Sequence, residues 1–137
     1  MKTIFTKHFS AIMALGLLVF VALACGFKSD SDWKRELGGM KLTYAKTTGS
    51  ISDRIDIWLC PSGEYAKRTD FVGVSGDFTS ADADVEEGKW TVESGTLILQ
   101  SQDGKTTEYD LSKGTDSNVI RLNGNGYLVT RHNECGR

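Results

Sequence analysis

A chain of 137 residues with 39% hydrophobic and 25% charged side chains has the size of one globular domain and is too apolar for intrinsic disorder. Sixteen Lys and Arg stand against 18 Asp and Glu, a net charge of −2, with no Lys/Arg-rich stretch. That balance argues against a polyanion-binding protein and so against a nucleic-acid partner.

The chain opens with Lys2, Lys7 and His8 and no acidic residue, followed by an unbroken small or apolar run from Ala11 to Ala24. A basic segment before an apolar one is the layout of a secretory signal, helical in its apolar part. The run falls short of the roughly 18 apolar residues that a membrane-crossing helix needs. Val21-Ala22-Leu23-Ala24-Cys25-Gly26 resembles the bacterial lipobox, with the small Ala24 just before the Cys and Ala22 where the pattern more commonly has Leu. The resemblance implies cleavage before Cys25, a diacylglyceryl thioether on its sulfur, and acylation (palmitate or similar) of the new terminus. A lipoprotein held in the bacterial cell envelope by its lipid anchor, in the outer membrane or facing the periplasm, is the expectation. Each buried methylene contributes about 0.8 kcal/mol, so two or more chains anchor stably where one does not. The alternative is ordinary cleavage after Ala22-Leu23-Ala24 with Cys25 left as a free thiol. Losing residues 1–24 removes two Lys, leaving 14 basic against 18 acidic residues and a mature charge of −4.

Gly26–Asp32 is short and polar and reads as a tether. Asp30-Ser31-Asp32 can cap one helical turn, Trp33–Leu37, which Gly38-Gly39 ends. The expected organisation is a signal peptide over 1–24, a lipid-anchored tether and helical turn over 25–36, and a β domain over 37–137.

From there the apolar period is two. Met40, Leu42 and Tyr44 share one face of a first strand. Ile55, Ile57 and Leu59 share a face of a second, with Arg54, Asp56 and Trp58 opposite. Tyr65, Lys67, Thr69 and Phe71 alternate in a third. Further strands fall at Trp90 and Val92, at Leu97 and Leu99, at Thr107, Tyr109 and Leu111, at Val119–Leu122 and at Tyr127–Arg131, whereas Val72–Glu87 is poor in strand pattern. Turn clusters at Pro61-Ser62-Gly63, Glu93-Ser94-Gly95, Gln102-Asp103-Gly104 and Asn123–Gly126 separate these runs. About eight strands joined by short hairpins form an antiparallel meander, which removes its edges best by closing into a barrel.

Cys60 and Cys135 form an even pair, read first as a disulfide in an oxidising export compartment. The alternative is two free thiols. Neither belongs to a C-x-x-C pair, so no redox motif and no zinc site is expected.

The ordered segments Ile57–Tyr65, Gly88–Val92, Leu97–Leu99 with Asp103-Gly104, Tyr109–Leu111, and Val119–Gly124 with Tyr127 resemble a small lipocalin-like barrel module of bacterial exported proteins. Ser62 stands where that pattern usually has an acid. The resemblance covers roughly residues 36–131 and implies an all-β, lipocalin-like barrel of about eight strands; it brings no activity or site residues with it.

Chemistry-bearing groups are few. His132 is the one His beyond the signal segment and sits near the C-terminus, without a G-x-S-x-G elbow, so no catalytic residue and no enzyme is expected. Asp82, Asp84, Glu86 and Glu93 match positions 1, 3, 5 and 12 of a calcium loop, but Glu87 holds the position that requires Gly. They read as a solvated acidic loop, and no metal or cofactor is expected. Tyr44, Tyr65, Phe71, Trp90, Tyr109 and Tyr127 read as core, and Trp58, on the opposite face from Ile57 and Leu59, as a partner contact. The expected function is a non-enzymatic binding or envelope-structural module, with a protein or a small apolar ligand as partner. The alternatives are an inhibitor of a hydrolase such as lysozyme and a lipocalin-like carrier. Small lipoproteins that inhibit lysozyme share the anchored, disulfide-tied barrel, but their Ser-Gly-x-x-Tyr segment is absent here, where Ser94-Gly95 precedes Thr96-Leu97.

Overall fold

The structure, a computed structural model, describes residues 28–75 and 78–135; the signal segment and Cys25 lie outside the described residues. One helix, α1 (Asp30–Leu37), precedes eight strands: β1 (Met40–Thr48), β2 (Ile51–Leu59), β3 (Glu64–Ser75), β4 (Phe78–Glu93), β5 (Thr96–Ser101), β6 (Thr106–Lys113), β7 (Val119–Leu122) and β8 (Asn125–Arg131). Each strand pairs antiparallel with the next, and β1 pairs with β8, so the meander closes into a barrel.

Closure follows from the period-two pattern. Leu42 pairs with Ile57 and with Val129, and Trp90 and Val92 pair with Leu99 and Leu97. One face of every strand therefore points into a common lumen. Leu42, Ile57, Leu59, Val92, Leu97, Leu99 and Leu122 are completely or almost completely buried there. Burying such a side chain contributes about 2 kcal/mol, so the row is the main stabilising asset of the domain. The tight turn of β7 into β8 uses Asn123 and Gly124, both at positive φ (50° and 81°), as a two-residue hairpin demands.

The helix is longer than the expected turn. Ser29 is its N-cap, accepting from the Asp32 N–H at 3.2 Å, and the Gly38 N–H closes it on the Lys34 carbonyl at 3.0 Å. A helix this short is not stable alone. It forms because Trp33 and Leu37 are buried in the same core as the strands, and because the Asp30 carboxylate accepts from the Ser94 and Gly95 N–H groups at 2.8 and 3.0 Å. Those two hydrogen bonds hold the Asp30 carboxyl below the usual carboxylate range. The polar segment read as a tether is thus cut short at Ser29, and the helix plugs one end of the barrel.

Cys60 and Cys135 are joined as a disulfide, with Cα atoms 5.5 Å apart and a sequence separation of 75. The bridge pins the C-terminal segment to the β2–β3 hairpin, where the Trp90 indole N–H also donates to the Cys60 carbonyl at 2.8 Å.

Val72–Glu87 forms strand throughout its described part, against expectation. Asp82, Asp84 and Glu86 alternate with Ala81, Ala83 and Val85, a period of two in which neither face is strongly apolar, so hydropathy carries no strand signal.

Two stability predictions follow from this packing. Replacing both Cys60 and Cys135 by Ser should cost up to about 4.5 kcal/mol by the loop-entropy argument, read from the urea midpoint at unchanged slope; a loss under about 1 kcal/mol would show that the closed barrel already restrains the unbridged chain. At Gly88 an added Cβ would stand 2.0 Å from the Gln100 carbonyl oxygen and 2.8 Å from the Ser101 Cα. Gly88→Ala should therefore cost about 2 kcal/mol or more, measured in the same way.

Candidate binding surface

The two ends of the barrel differ. At the helix end Trp33 and Leu37 close the lumen. Toward the other end the side chains become polar but still fill the space. Tyr44 and Tyr127 stack with ring centroids 5.2 Å apart. The Tyr65 hydroxyl donates to Glu86 Oε1 at 2.6 Å, and Lys67 Nζ reaches the same oxygen at 3.4 Å. Burial first, then the Glu86 carboxylate, raises the Tyr65 pKa, and burial pushes Tyr127 up to about 12. Both phenols stay protonated at neutral pH, and that of Tyr65 is the donor to Glu86. Tyr44, Ile55 and Tyr109 line the inner wall at this end and are partly buried.

Beyond this plug the strands are unequal. β8 pairs with β1 only over Met40–Thr43, and β5 pairs with β4 only from Gly88 onward. The rest of β1–β4 has no partner in the second half of the barrel and projects as a curved sheet. Phe78–Glu87 alone accounts for roughly 30 Å of strand. On the face continuous with the lumen, register places Lys46, Asp53, Phe71 and Asp82 in one row and Tyr44, Ile55, Thr69 and Asp84 in the next. Phe71 (41% exposed) is flanked by two carboxylates, with Ile51 (44%) beyond it. The opposite face carries exposed Val72 and Val85, the latter 62% exposed. The cations on that face are engaged locally: Arg68 with Asp70 at 2.7 Å and Arg54 with Asp56 at 2.9 Å.

At the root of the projection β4 splays away from the β5–β6 hairpin. The opening is a cleft of about 530 Å³ whose walls include Asp84, Glu86, Gln102, Asp103 and Lys105. Ser101 lines it too, its hydroxyl donating to the Asp103 carboxylate and its backbone N–H to the Lys105 carbonyl at 2.9 Å.

The residues singled out from sequence are distributed as follows. Tyr65, Trp90 and Tyr127 are buried and Tyr44 and Tyr109 pack against them, as expected of core. Phe71 is not core: its strand outruns the barrel, so the inward face it shares with Tyr65 has no opposite wall. Trp58 lies on the outer wall, half-buried, with Lys41 Nζ 4.6 Å from its ring centroid. With Ala66, Glu87, His132 and Cys135 it lines an open groove of about 390 Å³. His132 donates its backbone N–H to the Gly39 carbonyl at 3.1 Å, and its Nδ1 accepts from the Glu134 N–H at 3.2 Å. The acidic stretch is a strand, not a loop: Asp82, Asp84 and Glu86 share its lumen-side face and are spread along an extended backbone, about 7 Å from one to the next, rather than curled around one point. Among the described residues no cluster of three or more His, Cys, Asp or Glu is placed to hold a metal. For Ile51, Val72 and Val85 the sequence signal is the alternation of acid and small apolar residues over 81–86, which marks their sheet.

Comparison of the chain with known protein families and with curated proteins gives no match.

The projecting sheet is braced at its base by Asp56, on the outer wall and only 5% exposed. Thr43 Oγ1 donates to it at 2.6 Å, Arg54 Nε at 2.9 Å, and Lys41 Nζ lies at 3.5 Å. Burial alone would raise its pKa; these partners outweigh it and hold the carboxyl below the usual carboxylate range. A folded pKa depressed below the unfolded value of about 3.9 stabilises fully above that value and is lost as pH falls through the folded pKa. Stability should therefore be insensitive to this group from about pH 5 upward and decline below about pH 4. Asp56→Asn should cost about 1–3 kcal/mol at neutral pH and flatten the acid limb of the urea midpoint against pH; an unchanged acid limb would assign it to other carboxylates.

Proposed function

We propose that this chain is a lipid-anchored, exported, non-enzymatic binding protein of the bacterial envelope, which takes a protein partner on the sheet projecting from its barrel. The observation that carries the reading is the projection itself. Four of the strands continue past the core and expose Ile51, Phe71, Val72 and Val85. Exposed apolar side chains rimmed by charge are the surface chemistry of protein recognition.

Export is supported by the basic and apolar leader and by the Cys60–Cys135 disulfide, which persists in oxidising compartments. The lipobox-like segment ending at Cys25 supports the anchor. Cys25 precedes Lys28 by three residues, and Lys28 lies beside α1, with its Nζ 4.5 Å from the Trp33 ring centroid and paired with Glu36. On this reading a lipid on Cys25 would bring the helix end toward the membrane and leave the projecting sheet away from it. Among the described residues no helix is long and apolar enough to cross a membrane.

A second reading, inhibition of a hydrolase such as lysozyme, is favoured by Asp53, Asp82 and Asp84 on the lumen-side face, which suit a basic enzyme surface. Loss of lysozyme activity on titration with the purified protein, relieved by Asp82→Lys/Asp84→Lys, would establish it.

Two measurements test the main reading. Cys25→Ser should abolish the lipid mass and release the protein from the membrane fraction; continued retention at unlipidated mass overturns the anchor. A photo-crosslinking residue in place of Phe71 in the bacterial cell should yield a discrete protein adduct that the same group at Arg121, on the outer wall of β7, does not. Equal labelling from both positions, or none from Phe71, overturns the binding surface.

A further inference from the structure

The backbone of the projecting sheet is as informative as its side chains. On one side of β4 the Trp90 N–H donates to the Gly63 carbonyl at 2.8 Å; on the other the Glu87 carbonyl accepts from the Gln102 N–H at 3.0 Å. An antiparallel ladder alternates strictly, so Asp82, Asp84 and Glu86 turn their backbone groups to β3. Ala81, Ala83 and Val85 turn theirs to the opposite edge. Among the described residues no strand pairs with that edge ahead of Glu87. The five residues Ala81–Val85 are all exposed. A row of unpaired N–H and C=O groups is a template for another strand.

We propose that this edge of β4 binds its partner by strand addition, and that the partner segment is extended, with basic residues alternating with apolar ones. The inference rests on the protein-binding reading above and names its mode. An added strand would present alternate side chains to the two faces of the sheet. On the lumen-side face it meets Asp82 and Asp84, which have no hydrogen-bond or ion partner among the described residues, and then Glu86. On the other it meets Ala81, Ala83 and Val85, small enough to leave room for an apolar side chain. The cleft between β4 and the β5–β6 hairpin, walled by Asp84, Glu86, Asp103 and a single Lys105, receives the end of the segment. Charge decides between occupants. Pairing β4 with β4 of a second copy would bring Asp82, Asp84 and Glu86 onto one face beside their own counterparts, and like charges across a ladder are destabilising. A Lys- or Arg-bearing strand turns the same row into attraction.

The test uses the full-length purified protein in neutral detergent and a fluorescent eight-residue peptide alternating Lys and Val. One control peptide alternates Glu and Val. A second keeps Lys and Val but is N-methylated on the amides of one edge and, separately, of the other. The Lys/Val peptide should bind at least about tenfold more tightly than the Glu/Val peptide. Methylation of one edge, not both equally, should abolish binding, and the Ala81, Ala83 and Val85 amides should gain protection from hydrogen exchange. Ala83→Pro removes an N–H that faces the open edge and none that bonds to β3, so it should weaken binding about fivefold or more while leaving the fold intact. Should that variant misfold, the N-methylated peptides decide alone. Binding indifferent to N-methylation is mere electrostatic adsorption and overturns the proposal, as does tighter binding of the Glu/Val peptide. Dimerisation relieved by Ala83→Pro, without peptide binding, overturns it in favour of a second copy. A Phe71 adduct that persists while the Lys/Val peptide fails to bind leaves the protein-binding reading standing and removes only the strand-addition mode; the converse result removes the cellular reading alone.

Discussion

The height of the barrel is set by its shorter half, and the rest of the molecule follows from that mismatch. β7 is Val119–Leu122 and β5 is Thr96–Ser101, whereas β4 is Phe78–Glu93. A closed sheet extends only as far as all its strands have neighbours. The surplus of β1–β4 then leaves the cylinder as an open sheet with two edges. Closing into a barrel abolishes edges within the body and cannot do so for strands that outrun it.

Inside the body the packing is conventional and consistent across levels. Leucine, isoleucine and valine rows from opposite strands fill the lumen, a short helix supplies Trp33 and Leu37 at one end, and tyrosines with the Lys67–Glu86 pair fill the other. Lys67 and Glu86 are both largely buried, so each needs the other and the Tyr65 hydroxyl; a lone charge there would carry an uncompensated desolvation cost. The disulfide acts at the helix end, where it ties the C-terminal segment to the hairpin that also receives the Trp90 indole. Stability is thus concentrated at the helix end, and the exposed edge stands at the other.

That edge carries its own protection. Asp82, Asp84 and Glu86 along one face make it a poor partner for copies of itself, the device by which natural sheets keep exposed edges from joining. The same carboxylates that oppose self-association would attract a cationic partner strand, so one row of side chains can serve solubility and the proposed partner choice together. Phe71 between Asp53 and Asp82 extends the combination onto the sheet face, where an aromatic ring beside carboxylates suits a cationic side chain.

The amino-acid sequence by itself determined the class of fold. Alternation at Leu42–Tyr44, Ile55–Leu59 and Leu97–Leu99, with turn residues between the runs, allows only half-buried strands in hairpin order, and a meander of about eight such strands is best closed. It also marked Cys60 and Cys135 as a candidate pair, because a leader that reads as an export signal makes a disulfide the first reading of an even pair of thiols. The placement of α1 and of Val72–Glu87 was decided by tertiary structure. The Asp30 carboxylate finds its N–H partners 64 residues away at Ser94, which no local pattern records. The β4 extension is strand because β3 lies beside it, while both its faces are wet and hydropathy is silent. Phe71 shows the limit most plainly. Its spacing assigns it the same face as Tyr65, correctly, but whether that face looks into a core or into solvent depends on how far the opposite wall extends, and strand length on the far side of a barrel is not a local property of the chain.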